Sequence, residues 1–305
     1  MEEAIIEVKG FRKTYDDLVA VDDISFDVRQ GEIFGLLGPN GAGKTTTLES
    51  LEGLRMPDAG SLQIMGVDPT RESRKLRNII GVQLQTSALP ESIRVDEAMN
   101  FFCAYHDVDP QYELLDRLGL GDRMRSQYYQ LSTGQKRRLA LALAIAHNPP
   151  VLILDEPTAG LDVPSRVELH KIVRELKEAG TTILLATHDM AEAEEMTDRV
   201  AILLQGEIVT IGTPMEITAT GVELTKVSVR TVNSCLFDKE FSFPGVSQIS
   251  HKEKYVIFFS EDIGPTVSAI IDTIEAQGDT IIDLRVERPS LEDRFLEITV
   301  GGNTQ

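Results

Sequence analysis

Short apolar runs bounded by turn residues dominate the first two thirds of the chain. The stretches "AIIEVKGF" and "ISFDVRQGEIFGLL" are β-like, and "VLILDEP" and "TTILLATH" are apolar runs typical of parallel strands buried on both faces. Helical patterns separate these runs, and "VDEAMNFFCAY" and "QYELLDRLGL" are the clearest of them. The alternation predicts an α/β fold whose sheet is covered by helices on both faces.

The pattern changes near "IGTPMEITATG". From residue 220 onward the chain holds the β-like runs "TKVSVRTV", "KYVIFFSE" and "TIIDLRVE" and two helical stretches. We therefore predict a separate small α+β domain over 220–305. In its last piece, Ser290 and Asp293 have the spacing of a capping box at a helix start. One face of that helix carries three apolar residues, which we expect to pack within their own domain rather than on a partner: Leu291, Phe295 and Ile298.

Composition and charge narrow the class of protein. The chain has 305 residues, 42% of them hydrophobic, which is enough for two globular domains. Its formal net charge of −19 leaves few basic residues for a nucleic-acid-binding face and disfavours direct contact with an anionic membrane surface. If this protein works at a membrane, we expect a partner to hold it there.

The chain also has few signals for targeting or cross-linking. Its start, "MEEAIIEVKG", does not resemble a signal peptide, and no apolar run approaches the ~18 residues that a membrane-spanning helix needs. Cys103 and Cys235 lie far apart and have no metal-ligand spacing. We expect a protein of the reducing cytosol without disulfides or structural zinc.

A glycine-rich loop follows the apolar run 33–37. The stretch "GLLGPNGAGKTTT" contains Gly38, four further residues, then Gly43, Lys44 and Thr45. Glycines let successive N–H groups point at a phosphate, and the following helix N-terminus adds its dipole. Lys44 can reach the β- and γ-phosphates, and the Thr45 hydroxyl can bind magnesium. The loop predicts a nucleoside triphosphate site, and the lack of an Asn-Lys-x-Asp stretch disfavours a GTPase.

Two acidic residues and a histidine follow apolar runs. Asp155 and Glu156 come directly after the run 151–154, at the strand end where doubly wound sheets bind ligands. On an extended chain they point to opposite sides, so Asp155 can face a metal and Glu156 an attacking water. His188 ends a neighbouring run and can hold a γ-phosphate. The alternative is structural: a helix cap for the acids and a structural histidine.

The stretch "LSTGQKRRLAL" combines a helix start with three basic residues. Ser132 and Gln135 have capping-box spacing. Lys136, Arg137 and Arg138 lie at the helix end where the dipole favours acids. Such a start is a poor internal stabiliser but a good receptor for an anion. The alternative is a solvated face.

Taken in order, these motifs resemble the ATP-binding subunit of ABC transporters over residues 1–217. The resemblance implies a P-loop NTPase fold of ABC type with an antiparallel β subdomain and a helical subdomain at about 86–145, followed by the small α+β domain. "LSTGQ" is similar to the ABC signature, with Thr133 in place of its first glycine. In "GVQLQTS", Gln83 competes with Gln85 for the role of the Q-loop glutamine, and the family spacing favours Gln85.

The resemblance assigns a role to each candidate site residue. Tyr15 stacks on the adenine of ATP. The phosphates of ATP are held by the loop residues Gly38, Pro39, Asn40, Gly41, Ala42, Gly43, Lys44, Thr45 and Thr46. The catalytic residues are Glu156, His188, Gln85 and Lys44. Magnesium is bound by Thr45, Gln85 and Asp155, and Asp162 is the D-loop aspartate. The signature residues act on ATP bound to the opposite subunit: Ser132, Thr133, Gly134 and Gln135.

The same resemblance implies the partners. An ATP-dependent head-to-tail homodimer is expected, together with a separately encoded multi-span permease whose cytoplasmic helix docks in a groove carried by residues 86–105. The tail "PSLEDRFLEITV" is similar to that of exporter ATPases of the daunorubicin-resistance and sodium-efflux type. We therefore expect export of a drug-like, lipid, peptide or ion substrate. The protein would act at the cytoplasmic face of the membrane, held there by the permease.

Two other functions remain as alternatives. A soluble ABC ATPase could do mechanical work on nucleic acid or ribosomes, but the single ATPase unit and the charge of −19 argue against it. A nucleotide sensor without turnover is disfavoured because Glu156 is present. The C-terminal domain is expected to stabilise the dimer or the permease contact.

Overall fold

The computed structural model describes residues 4–84, 89–219, 225–237, 241–287 and 290–301. The chain divides into two compact units, 1–213 and 214–305. The boundary thus precedes a short helix over Pro214–Ala219, whereas the sequence pattern places it between residues 217 and 220. Within the described ranges, none of the helices combines the length and apolarity that a membrane span requires.

The first unit contains nine strands and seven α-helices among the described residues. The strands are β1 (Ala4–Tyr15), β2 (Leu18–Arg29), β3 (Ile33–Leu37), β4 (Ala59–Ile64), β5 (Ile80–Gln83), β6 (Val151–Asp155), β7 (Thr182–Thr187), β8 (Arg199–Leu204) and β9 (Glu207–Gly212). The helices are α1 (Lys44–Leu51), α2 (Ser73–Ile79), α3 (Val95–Tyr105), α4 (Tyr112–Arg117), α5 (Thr133–Ile145), α6 (Val163–Glu178) and α7 (Met190–Met196).

A six-stranded sheet forms the centre of this unit, in the order β5-β6-β7-β3-β8-β9. Its first five strands are parallel, and β9 pairs antiparallel with β8. Every residue of β3, β6 and β7 is buried, which explains why these strands appear in the sequence as unbroken apolar runs. Since the strands are parallel, the loops after β3, β6 and β7 emerge at one edge of the sheet.

A second, antiparallel sheet packs with the first and confirms the predicted β subdomain. Its order is β2-β1-β4, and inward residues alternate with outward ones along β2. Phe26 of β2 stacks on Phe34 of β3 with ring centroids 5.3 Å apart. This contact belongs to a hydrophobic cluster shared by both sheets and α1, so the phosphate loop rests on a rigid core.

Helices α3, α4 and α5 occupy most of the stretch predicted as a helical subdomain, whose first residues, 86–88, lie outside the described residues. They enclose a second cluster that includes Met99, Leu115 and Leu139 and continues to the other face of the central sheet. The sheet is therefore covered on both faces, and the predicted α/β fold is confirmed.

The second unit is α+β. Its elements are α8 (Pro214–Ala219), β10 (Thr225–Thr231), β11 (Val246–Lys252), β12 (Tyr255–Ser260), α9 (Ile263–Ala276), β13 (Ile281–Glu287) and α10 (Leu291–Gly301). The strands form an antiparallel sheet in the order β11-β12-β10-β13, and α9 packs on it through Ile270 and Ile274.

The start of α10 has the predicted capping box. The Asp293 N–H donates to Ser290 Oγ at 3.2 Å, and the Ser290 N–H donates to Asp293 Oδ2 at 3.0 Å. Leu291 is buried, Phe295 and Ile298 are half-buried, and α10 contacts α8 of the same unit. The apolar face of α10 thus packs within its own unit, as the sequence predicts.

Candidate active site

The loop between β3 and α1 requires glycine at two positions for different reasons. A β-carbon at Gly38 would collide with the carbonyl oxygen of Leu203. Gly43 has φ +105, and a β-carbon there would lie 2.6 Å from the carbonyl oxygen of Ala20. At Gly41, with φ +82, a β-carbon would meet no atom within 4 Å. The loop is therefore held against β8 and β2 on one side and open at its tip, as phosphate binding requires.

Lys44 begins α1 and turns its amine back into the loop. Its Nζ donates to the Gly38 carbonyl at 2.6 Å and to the Pro39 carbonyl at 3.2 Å, and lies 3.7 Å from Glu156 Oε1. The residue is 5% exposed, and this burial lowers the pKa of Lys44 although Glu156 and Asp155 oppose the effect. A buried cation at the base of a phosphate loop is placed to neutralise phosphate charge.

The next pair of residues fits a magnesium ion. Thr45 Oγ1 donates to Asp155 Oδ2 at 3.2 Å, while Asp155 Oδ1 is buried and has no hydrogen-bond partner in the described part of the chain. Burial raises the pKa of Asp155, because a lone carboxylate is poorly solvated there. One hydroxyl and one carboxylate suit Mg²⁺, which normally takes its other ligands from water and phosphate.

Glu156 lies between the loop lysine and the predicted histidine. Its Oε2 is 2.6 Å from His188 Nδ1, and its Oε1 faces Lys44. The carboxylate is almost fully buried, with 4% of the residue exposed. The prediction of an extended chain at this position is wrong. Glu156 has φ +50, and its N–H donates to the Ala186 carbonyl at 2.9 Å. This turn directs Glu156 toward Lys44 and His188, while Asp155 faces Thr45.

The roles of Gln85 and Tyr15 stay predictions, like those of the other site residues. Gln85, predicted to be catalytic and metal-binding, lies outside the described residues. Its competitor Gln83 is buried, and neither atom of its side-chain amide has a partner among the residues described. Tyr15 ends β1, with Lys13 Nζ and Arg55 Cζ 5.5 and 5.8 Å from its ring centroid. Its stacking on adenine stays a prediction.

The signature stretch begins α5 with a capping box. The Gln135 N–H donates to Ser132 Oγ at 3.2 Å, and the Ser132 N–H donates to Gln135 Oε1 at 2.9 Å. Ser132 and Thr133 are exposed, and a β-carbon at Gly134 would contact Leu161 at 3.4 Å. The start of α5 therefore lies beside the loop that leads to Asp162, the residue before α6.

The three cations of α5 have partners inside the chain. The prediction that they contribute little to the stability of their own chain is therefore wrong. Lys136 Nζ lies 4.6 Å from the centroid of the Tyr128 ring, and Arg138 donates to the Leu118 carbonyl at 2.9 Å. Arg137 donates to the backbone carbonyl of Glu156. The partners are distant in sequence, and no local pattern shows them. The exposed first residues of α5 remain available to bind an external anion.

Comparison with known proteins agrees with this geometry. Residues 21–159 match the family model described as ABC transporter. The chain is 31% identical to the linearmycin resistance ATP-binding protein LnrL of Bacillus subtilis (strain 168), over 97% of this chain and 98% of that protein. It is 34% identical to a daunorubicin resistance ATP-binding protein of Streptomyces coeruleorubidus, over 98% and 97% of the two chains.

Comparison with solved structures gives the same result. An ATP-binding subunit of an ABC transporter superposes with a TM-score of 0.66 at 31% identity, covering 70% of this chain and 91% of that one. An ATP-binding cassette, dimeric in a post-hydrolysis state with ADP and Pi, gives a TM-score of 0.64 at 25% identity over 68% and 98%. Fold, loop and carboxylates together show that the chain belongs to the ABC transporter family, as an ATP-binding subunit with an ATPase domain.

Proposed function

We propose that this chain hydrolyses ATP with magnesium in a head-to-tail homodimer and thereby powers export through a separate permease. The observation that supports the proposal most strongly is the buried Glu156 carboxylate, which lies between His188 and Lys44 beside the phosphate loop. A sensor that only binds ATP has no use for a buried, oriented base at that position.

Each group has a distinct part in the reaction. The loop N–H groups and Lys44 bind the phosphates. Glu156 orients the attacking water and accepts its proton. His188, predicted to hold the γ-phosphate, also orients the Glu156 carboxylate through the 2.6 Å contact. Magnesium, held by Thr45, Asp155 and Gln85, would neutralise charge on the phosphates.

The dimer is proposed because the signature lies on an exposed helix start. Ser132 and Thr133 are exposed, and in the described residues no hydrogen bond or ion pair joins them to the phosphate loop of their own chain. A second subunit in head-to-tail orientation would bring Ser132 to Gln135 onto its partner's ATP. A solved bacterial ABC transporter cassette that is 25% identical to this chain is dimeric, which supports dimerisation.

The permease is proposed from a groove and from the names of relatives. A largely apolar cavity of about 680 Å³ opens between the end of α1, α2, α3 and α5. Leu89 and Phe102, from the stretch predicted to carry the docking groove, line it together with Leu76 and Leu143. Such a groove suits an amphipathic helix. Relatives are named for linearmycin resistance, daunorubicin resistance and Nod factor export, which favours efflux. The permease would hold the chain at the cytoplasmic face of the membrane.

An affinity pull-down from detergent-solubilised native membranes tests the permease. The tagged chain is used as bait, and bound proteins are identified by mass spectrometry. We expect a multi-span membrane protein in stoichiometric amount. Recovery of ribosomal or nucleic-acid-binding proteins in its place would contradict the transport function and leave the ATPase assignment intact.

A further inference from the structure

Glu52 directly follows helix α1, and its side chain lines the groove described above. Its N–H donates to the Leu48 carbonyl at 2.8 Å, so it is fixed to the last turn of the helix. Thr45 lies in the first turn of the same helix. One short helix therefore joins the phosphate loop to the groove.

The Glu52 carboxyl has no counter-ion in the described structure. Its Oε2 is buried and has no hydrogen-bond partner in the described ranges. Glu49, one turn earlier, is paired with Arg55 at 2.9 Å. Arg77, which also lines the groove, donates to the Tyr105 hydroxyl at 2.6 Å and to the Ser73 carbonyl. Both neighbouring cations are thus engaged with other groups.

Burial makes the Glu52 carboxyl harder to ionise. Burial, with further contributions from Asp155 and Glu49, raises the pKa of Glu52 to about 8. Among the described residues that line the groove, Glu52 is the only carboxylate; the other lining groups that titrate or carry charge are Arg77, Tyr105, His106 and His147. A buried acid in an apolar groove is costly unless a cation pairs with it.

We propose that Glu52 recognises a lysine or arginine side chain on the permease helix that docks in this groove. The inference rests on the proposed function and adds to it the chemistry of the partner residue. A cation is expected because the walls of the groove are largely apolar and Glu52 is its one unpaired carboxyl among the described residues. A carboxylate on the docking helix would instead be repelled by the ionised Glu52.

The pairing has a pH signature. The free carboxyl holds its proton at pH 6 and must lose it to pair with the cation, so docking should strengthen as the pH rises toward 8 and then level off. Burial acts in the opposite direction on the pKa values of the two groove histidines. His106 and His147 stack with centroids 3.8 Å apart, and burial lowers both pKa values, that of His147 to about 4.

The test uses the full chain and the permease that it recovers from native membranes. Binding of the purified permease is measured between pH 6 and pH 9 for the wild type, Glu52→Gln, Glu52→Lys and a control, Glu72→Gln. Glu72 is an acid beside α2 that pairs with Lys75 and does not line the groove. We expect about tenfold weaker binding for Glu52→Gln at pH 8, a larger loss for Glu52→Lys and wild-type binding for the control.

Two further results complete the test. Glu52→Gln should lose the rise in affinity between pH 6 and pH 8, and a lysine- or arginine-to-glutamate change in the permease helix should restore binding to Glu52→Lys. Equal binding by the wild type and Glu52→Gln over the whole pH range would overturn the inference. A wild-type chain that recovers no permease would instead refute the proposed function. Glu52→Gln keeps the shape of the side chain, so the test stands even if Glu52→Lys does not fold.

Discussion

Glu156 illustrates how one residue is arranged for chemistry at some cost in backbone strain. It has φ +50, a conformation that few residues other than glycine adopt, and its carboxylate is nearly buried. Strain of this kind concentrates at functional sites, where surrounding contacts hold it. Here the contacts are the Ala186 carbonyl, His188 Nδ1 and Lys44 Nζ. A single residue thus combines orientation, burial and a charged partner.

The phosphate loop offers a matched pair of glycine substitutions. Gly43→Ala places a β-carbon 2.6 Å from the Ala20 carbonyl oxygen at φ +105, whereas Gly41→Ala at φ +82 meets no atom within 4 Å. Both substitutions are destabilised by the positive φ, but only Gly43→Ala also forces the loop away from β2. We expect Gly43→Ala to lower the melting temperature by about 2–4 °C more than Gly41→Ala, measured by calorimetry without nucleotide. Equal melting temperatures would show that the loop moves freely.

At the scale of elements, a side-chain contact joins helix α5 to the residue that follows strand β6. Arg137 of α5 donates to the carbonyl of Glu156, the residue that follows β6. The start of α5 would act on the partner's ATP, and Glu156 would act on the ATP of its own chain. This hydrogen bond therefore connects the start of α5 with the backbone of Glu156.

Arg137→Ala tests this link. A hydrogen bond from a charged donor contributes about 1.5–3 kcal/mol, so we expect the melting temperature to fall by about 3–6 °C. The turnover number should also fall, since the Glu156 backbone loses its support. The control is Arg123→Ala, which removes an exposed arginine. If the Arg137 and Arg123 variants have the same melting temperature and the same turnover number, the contact between Arg137 and Glu156 does not support the structure.

Sequence patterns predict the buried elements better than the exposed ones. Strands β6 and β7 are wholly buried, and their apolar runs mark them plainly. Strand β11 is not predicted by the sequence pattern. It lies at a sheet edge, pairs with β12 alone among the described strands and is mostly exposed, so its sequence "VSQISHK" has no regular alternation. The motifs likewise identify Lys44 and Glu156, whereas the partner of Arg137 and the positive φ of Glu156 arise from contacts between distant segments.

At the scale of the whole molecule, the two units have separate cores. The first holds two hydrophobic clusters and every described candidate site residue, and the second has its own cluster around Phe258 and Ile270. A unit with its own core can fold by itself. The net charge of −19 disfavours direct contact with an anionic membrane surface, so in the proposed function the permease holds the chain at the membrane.

Deletion of residues 214–305 tests the role of the second unit. We expect the remaining chain to fold and to bind ATP, because its clusters and its phosphate loop are intact. We also expect weaker dimerisation, measured by analytical ultracentrifugation, or weaker capture of the permease, measured by the membrane pull-down. A truncated chain that keeps both the dimer and the permease at full strength would refute this role.

The most direct test of the account is the oligomeric state and turnover of Glu156→Gln. Loss of the base should lower ATP turnover by about 10²–10⁴-fold while the other contacts to ATP remain. In saturating ATP and magnesium this variant should sediment as a stable dimer, and the exposed-site control Glu178→Gln should turn over ATP like the wild type. A Glu156→Gln chain that stays monomeric in saturating ATP, or that hydrolyses ATP normally, would contradict the central claim.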